Sequence, residues 1–158
     1  MPNLTDYIED YLKKLLALSS KQFIEIRRRE LAGKFDCVPS QINYVLERRF
    51  PPERGYLVES RRGGGGCIRI YRIKPEVTDS WQEALHVLQG GEFELPKARQ
   101  LLQRMIDEKI ISRREAGLLT VIIQDEPYRL TGLDKNQYRN LQRRLLYRAL
   151  EELLKVGY

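Results

Sequence analysis

The chain has 158 residues, 42% hydrophobic and 32% charged, enough to bury one core or two small ones and remain soluble. Its formal charge is +6, and the whole excess lies in residues 1–74, which hold 15 Lys or Arg against 9 Asp or Glu, whereas residues 75–158 hold 13 of each. Nothing in the sequence marks it for a membrane or for export, so we expect it in the cytoplasm, and two cysteines with a single histidine are too few ligands for a zinc site, so no metal or cofactor is expected.

In chain order, residues 3–18 read as an amphipathic helix capped by Asn3, with Leu4, Ile8, Leu12, Leu15 and Leu16 on one stripe. Residues 22–26 alternate as a brief strand, followed by the basic run Arg27, Arg28 and Arg29. Residues 28–35 predict a short second helix. Asp36, Cys37 and Val38 break it, and Pro39 opens a third helix, where its missing N–H is harmless. In that helix Ile42, Val45, Leu46 and Arg49 fall on one side, leaving Ser40, Gln41, Asn43, Tyr44, Glu47 and Arg48 largely outside. Ala32, Cys37, Ile42 and Leu46 take the packing positions of a helix-turn-helix. Ser, Gln, Asn and Tyr on one short helix can donate to and accept from base edges.

Pro51, Pro52 and Gly55 end this helix. Residues 56–62 and 67–73 then predict two strands, with Val58, Ile68 and Ile70 inward and Gly63 to Gly66 as the hairpin tip. A tip without Cβ atoms, entered by Arg61 and Arg62, suits the close approach and negative potential of a minor groove. No Lys-Ser/Thr pair and no helix follow the glycines, so they are not a nucleotide-binding P-loop.

Lys74, Pro75 and Glu76 read as a linker. Helices are expected at 79–88, 96–109, 113–124 and 135–156, with capping pairs Ser112/Glu115 and Asp134/Gln137. Leu118, Leu119, Val121, Ile122 and Ile123 make the third of these apolar on most sides, so a second copy is expected to cover it. Arg139, Arg143, Arg144 and Arg148 read as a solvated face. Trp81 and His86 read as packing residues, and Cys37 and Cys67 as small half-buried side chains.

The fold expected is mainly α with a small β-wing: an N-terminal winged helix-turn-helix over 1–74 and a C-terminal helical dimerisation domain over 75–158. The candidate DNA-binding residues are Pro39, Ser40, Gln41, Asn43 and Tyr44 for the major groove, Arg61, Arg62, Gly64 and Gly65 for the minor groove, and Arg28, Arg29, Arg48 and Arg49 for phosphates. A winged-helix protein-interaction module and a ligand-responsive regulator are the competing classes. An enzyme is not expected, because no metal-ligand cluster or nucleophile with a base is in evidence.

The run FDCVPSQINYVLERRF, followed by ERGYLVESRRGGGGCIRI, resembles the CtsR family of bacterial repressors of class three stress genes, densely over 24–73 and continuously through the helical half. The resemblance implies a homodimeric repressor on operators of short direct repeats ahead of Clp chaperone and protease genes. It also implies heat sensing by the wing glycines Gly63 to Gly66, minor-groove contact and arginine phosphorylation at the wing arginines Arg61 and Arg62, with Arg62 taken as the modification position, and an McsB-type arginine kinase and the Clp machinery as partners.

Overall fold

The computed structural model describes residues 1–61, 66–89 and 92–156. Arg62, Gly63, Gly64 and Gly65 are outside the described residues, and with them three of the expected minor-groove and modification positions. The chain divides into two compact units, Met1–Lys74 and Pro75–Gly157.

In the first unit α1 (Leu4–Leu18) is followed by β1 (Phe23–Arg27), α2 (Arg28–Lys34), α3 (Pro39–Arg49), a single 3-10 turn, β2 (Tyr56–Arg61) and β3 (Cys67–Arg72). Asn3 caps α1 as expected, exchanging side-chain and backbone hydrogen bonds with Asp6. The strands form one antiparallel sheet in the order β1-β3-β2. In its register Ile24 lies opposite Ile70 and Ile26 opposite Ile68. That alternation puts the isoleucines on the face covered by the helices, where they join Ile8, Leu12, Leu31, Ile42, Val45, Leu46 and Phe50 in one core. Val58 lies opposite Ile70 as expected, yet on the edge strand it is exposed rather than buried. The helices and the β2–β3 hairpin make a winged helix-turn-helix, the expected fold.

The second unit is wholly helical: α4 (Pro75–Gln89), α5 (Leu95–Asp107), α6 (Arg113–Ile122), α7 (Glu126–Arg129) and α8 (Lys135–Val156). The Ser112/Glu115 and Asp134/Gln137 caps are both made. Trp81, Leu88, Leu101, Met105, Ile123 and Leu146 are fully buried, and the Trp81 ring lies 5.8 Å from that of Tyr147.

Four expectations are corrected here. The stretch expected as a linker opens α4, since Pro75 stands where a helix has no use for its N–H. Pro127, expected only to separate helices, sits inside the short α7. His86 is exposed, not packed. Of the arginines expected on a solvated face, Arg139 and Arg143 are tied into the unit. Arg139 pairs with Asp125 at 2.9 Å, and Arg143 donates to the Leu88 carbonyl, also at 2.9 Å. Arg144 and Arg148 are exposed. No described helix is long and apolar enough to cross a membrane.

Candidate nucleic-acid interface

The turn that aims α3 is set by Asp36, which adopts the left-handed conformation at φ 50°. Aspartate tolerates that region better than most residues. The Cys37 amide then donates back to the Ala32 carbonyl at 2.9 Å, so α2 and α3 meet at a fixed corner. Pro39 occupies the first turn of α3, whose N-cap residue, Val38, offers no side-chain bond.

Along α3, Ile42, Val45 and Leu46 are buried, while Pro39, Ser40, Asn43, Tyr44, Glu47 and Arg48 are exposed. The guanidinium of Arg48 lies over the Tyr44 ring, 5.7 Å from its centre, which groups an aromatic and a cation on the outer face. Two residues expected outside or on phosphate are placed otherwise. Gln41 is half-buried, and its Nε2 donates to Thr5 Oγ1 of α1 at 3.3 Å. Arg49 faces α1, with Nη1 2.7 Å from Glu9 Oε1 and 3.1 Å from Asp6 Oδ1.

Glu9 is only 8% exposed and also receives Lys13 Nζ at 2.6 Å. Burial pushes its carboxyl up, but the bonds from Lys13 and Arg49 outweigh that and hold it below the usual glutamate range. The Asp6 carboxyl is lowered first by the Asn3 backbone N–H, against some desolvation, and then by Arg49. Thr5, Asp6 and Glu9 escaped the sequence reading. Their signal was present: Thr5 and Glu9 share the buried side of α1 with Ile8 and Leu12, an odd place for polar groups without partners.

At the tip end of the hairpin strands Arg61 is exposed and lies 3.9 Å from Glu59. Arg69 is not free to join it. The register sets Arg69 between Glu25 and Glu59, where it bonds Glu25 and lies over the Phe23 ring at 4.8 Å. Bonds to the Tyr71 hydroxyl and to Glu25 raise its pKa further. Arg29 and Arg27 are exposed, and Arg28 is half-buried against Gly66 at the tip end of the hairpin. Arg27, read from the sequence as part of the basic run but not as a DNA contact, lies opposite Cys67 in the register, which brings it to the tip end of the hairpin strands.

The exposed cations and polar groups of α2, α3 and the hairpin belong to a single unit, and its chemistry suits a polyanion with readable edges. Residues 3–74 match the family model described as the CtsR N-terminal HTH domain, and residues 82–150 the one described as the CtsR C-terminal dimerization domain. A protein named transcriptional regulator CtsR from Geobacillus stearothermophilus is 46% identical over 123 residues, 78% of this chain and 80% of the relative. Its namesake from Staphylococcus haemolyticus is 40% identical over 147 residues, 92% of this chain and 96% of the relative. A solved structure described as CtsR in complex with a 26bp DNA duplex is 39% identical, covering 96% of this chain and 98% of that chain with a TM-score of 0.48. With both halves of the sequence matched in order and relatives this similar over most of their length, the chain belongs to the CtsR family.

Proposed function

We propose that this chain is a sequence-specific DNA-binding transcriptional repressor, with α3 in the major groove and the β2–β3 hairpin in the adjacent minor groove. The observation that carries it is the division of α3: an apolar side locked into the core and an outer side of Ser40, Asn43, Tyr44 and Arg48. Asn is suited to bidentate contact with adenine, Ser to several bases, and Tyr to a thymine methyl or phosphate. Pro39 leads this face into the groove. Arg28, Arg29 and Arg48 supply phosphate contacts, and Arg61 with Arg62, Gly64 and Gly65 the minor-groove contact. Gln41 reaches bases only at the α3 margin, since its amide is bonded to Thr5.

The second unit serves as the dimerisation domain. Leu118 and Val121 on α6 are 69% and 52% exposed, and Leu141 and Leu145 on the neighbouring α8 are also exposed. Apolar side chains at such spacing on two packed helices suit a second copy of the chain.

We extend the reading, from family membership, to cytoplasmic control of heat-shock and other stress genes of the Clp protease and chaperone class through direct-repeat operators. Release would follow heating, or phosphorylation of Arg62 by an McsB-type arginine kinase that links the repressor to the Clp machinery. Phosphorylation turns a cation into an anion facing the DNA backbone. The test is a gel-shift titration of the parent protein on direct-repeat and scrambled duplexes at two salt concentrations and two temperatures. Preference for the repeat, weakened by salt and by heat, is expected. Equal affinity for both duplexes would remove the sequence-specific reading.

A further inference from the structure

We propose that α1 is the positioning element of the recognition helix. Thr5 and Glu9 hold the two ends of α3 through Gln41 and Arg49, and Arg49 acts on DNA binding through this clamp rather than by touching phosphate. The inference rests on the DNA-binding reading above and assigns within it a role to residues of α1.

Gln41 and Arg49 stand about 12 Å apart along α3. Each is bonded to α1, at 3.3 Å to Thr5 and at 2.7 Å to Glu9. Between them the helices are joined by Ile8, Leu12, Ile42, Val45 and Leu46, contacts that exclude water but have little directional preference. A hydrogen bond and a charge-assisted pair do have direction, and two of them near opposite ends of a helix fix both its rotation and its slide. Ser40, Asn43 and Tyr44 are carried on that helix, so their register against base edges depends on the clamp.

Arg49 is a poor phosphate ligand for an electrostatic reason. Its Nη1 has carboxylate oxygens at 2.7 Å and 3.1 Å, so an approaching phosphate would also meet Glu9 and Asp6. Glu9, in turn, is buried, and the bonds from Arg49 and Lys13 favour its ionised form there. Arg48, its neighbour, points outward over Tyr44 and is the cation of this helix left to DNA.

The experiment uses the full-length chain and a duplex selected by the parent from a random-sequence pool, beside a scrambled duplex of the same composition. Binding is followed by fluorescence anisotropy across a salt series for the parent, Glu9→Gln, Arg49→Ala and Arg49→Lys, with far-UV circular dichroism to confirm folding. Glu9→Gln and Arg49→Lys should each lower affinity for the selected duplex by about tenfold, with a smaller loss on the scrambled one and an unchanged salt slope. Lysine keeps the charge but not the planar, longer guanidinium that sets a single nitrogen, Nη1, between Asp6 and Glu9. Where Arg49→Ala folds, it should behave the same way.

An Arg49→Lys protein that binds like the parent, or a Glu9→Gln protein with unchanged preference, would overturn the proposal. So would an Arg49→Ala protein that loses equally on both duplexes with a salt slope flatter by about 0.9, the signature of one lost phosphate contact. A parent that enriches no duplex from the pool would remove the DNA-binding reading itself, a result distinct from a parent that binds selectively and variants that do not differ from it.

Discussion

The backbone amide of Arg28 donates to the carbonyl of Gly66 across 3.2 Å, joining the start of α2 to the residue that leads into β3. The contact leaves a tight fit for a larger residue. A Cβ at Gly66 would stand 3.2 Å from Arg28 Nη1 and 3.6 Å from Arg28 Cβ, and the Gly66 φ of +80° disfavours any residue with a side chain. Arg28 Nε is buried with no hydrogen-bond partner among the described residues, and the Nη1 end of this flexible side chain can give way by the few tenths of an ångström a methyl group would need. Gly66→Ala should therefore destabilise the protein by about 1 to 2 kcal/mol, from the left-handed backbone alone. Urea unfolding followed by circular dichroism measures it, and an unchanged midpoint would show that the backbone at Gly66 relaxes freely.

Asn43 and Arg48 lie on the same exposed face of α3 but differ in chemistry, so their replacements should fail differently. Asn43→Ala should reduce preference for the selected duplex by about 1 to 3 kcal/mol and leave the salt slope unaltered. Arg48→Ala should weaken selected and scrambled duplexes alike and reduce the salt slope by about 0.9. Anisotropy titrations on both duplexes at three salt concentrations separate the two, and an interchange of the patterns would mean that α3 is rotated from the orientation proposed.

In the second unit Gln142 is fully buried, and its Nε2 donates to the Gln124 carbonyl at 3.1 Å and to Asp125 Oδ1 at 3.0 Å. That bond from Gln142 is the main reason the Asp125 carboxyl lies below the usual aspartate range. Burial opposes it and the Arg139 guanidinium reinforces it. A depressed carboxylate contributes stability above its unfolded-state value, about 3.9, and loses it as the pH falls through the lower folded-state value. Asp125→Ala should thus cost about 1 to 3 kcal/mol near neutrality, partly by taking one acceptor from the buried Gln142 amide. The gap between parent and variant should narrow below about pH 3.9, as read from thermal melts across a pH series. A gap that widened on acidification would contradict the assignment.

The exposed leucines of α6 and α8 give a test of assembly. Leu118→Glu and Leu145→Glu place charges on side chains that are already solvent-exposed in the single chain, so they should leave the fold intact. In a dimer interface they would be buried and unpaired. Sedimentation equilibrium should show the parent as a dimer and each variant shifted toward monomer, by tenfold or more in dissociation constant, on the order of 1.4 kcal/mol. A parent that sediments as a monomer, or variants that dimerise as well as it does, would place the contact elsewhere.

Local chemistry in the sequence determined a great deal. Asn3 before an apolar stripe, Ser112 with Glu115 and Asp134 with Gln137 each satisfy orphan N–H groups within a few residues, and Pro39 removes one, so the helix starts at these positions were readable without any tertiary contact. Alternation in β3 and the side of α3 that carries Ile42, Val45 and Leu46 were readable for the same reason: periodicity fixes which face is apolar. Tertiary structure alone decided where the charges go. Arg48 and Arg49 are adjacent and chemically identical, yet one lies over an exposed tyrosine and the other is held by two carboxylates some 40 positions away in the chain. Likewise Arg69 is claimed by Glu25 across the sheet while Arg61 stays exposed, and Arg139 is tied to Asp125 while Arg144 faces solvent. The partner of a long charged side chain is set by which elements pack together, and that information is not contained in the spacing of residues along any one of them.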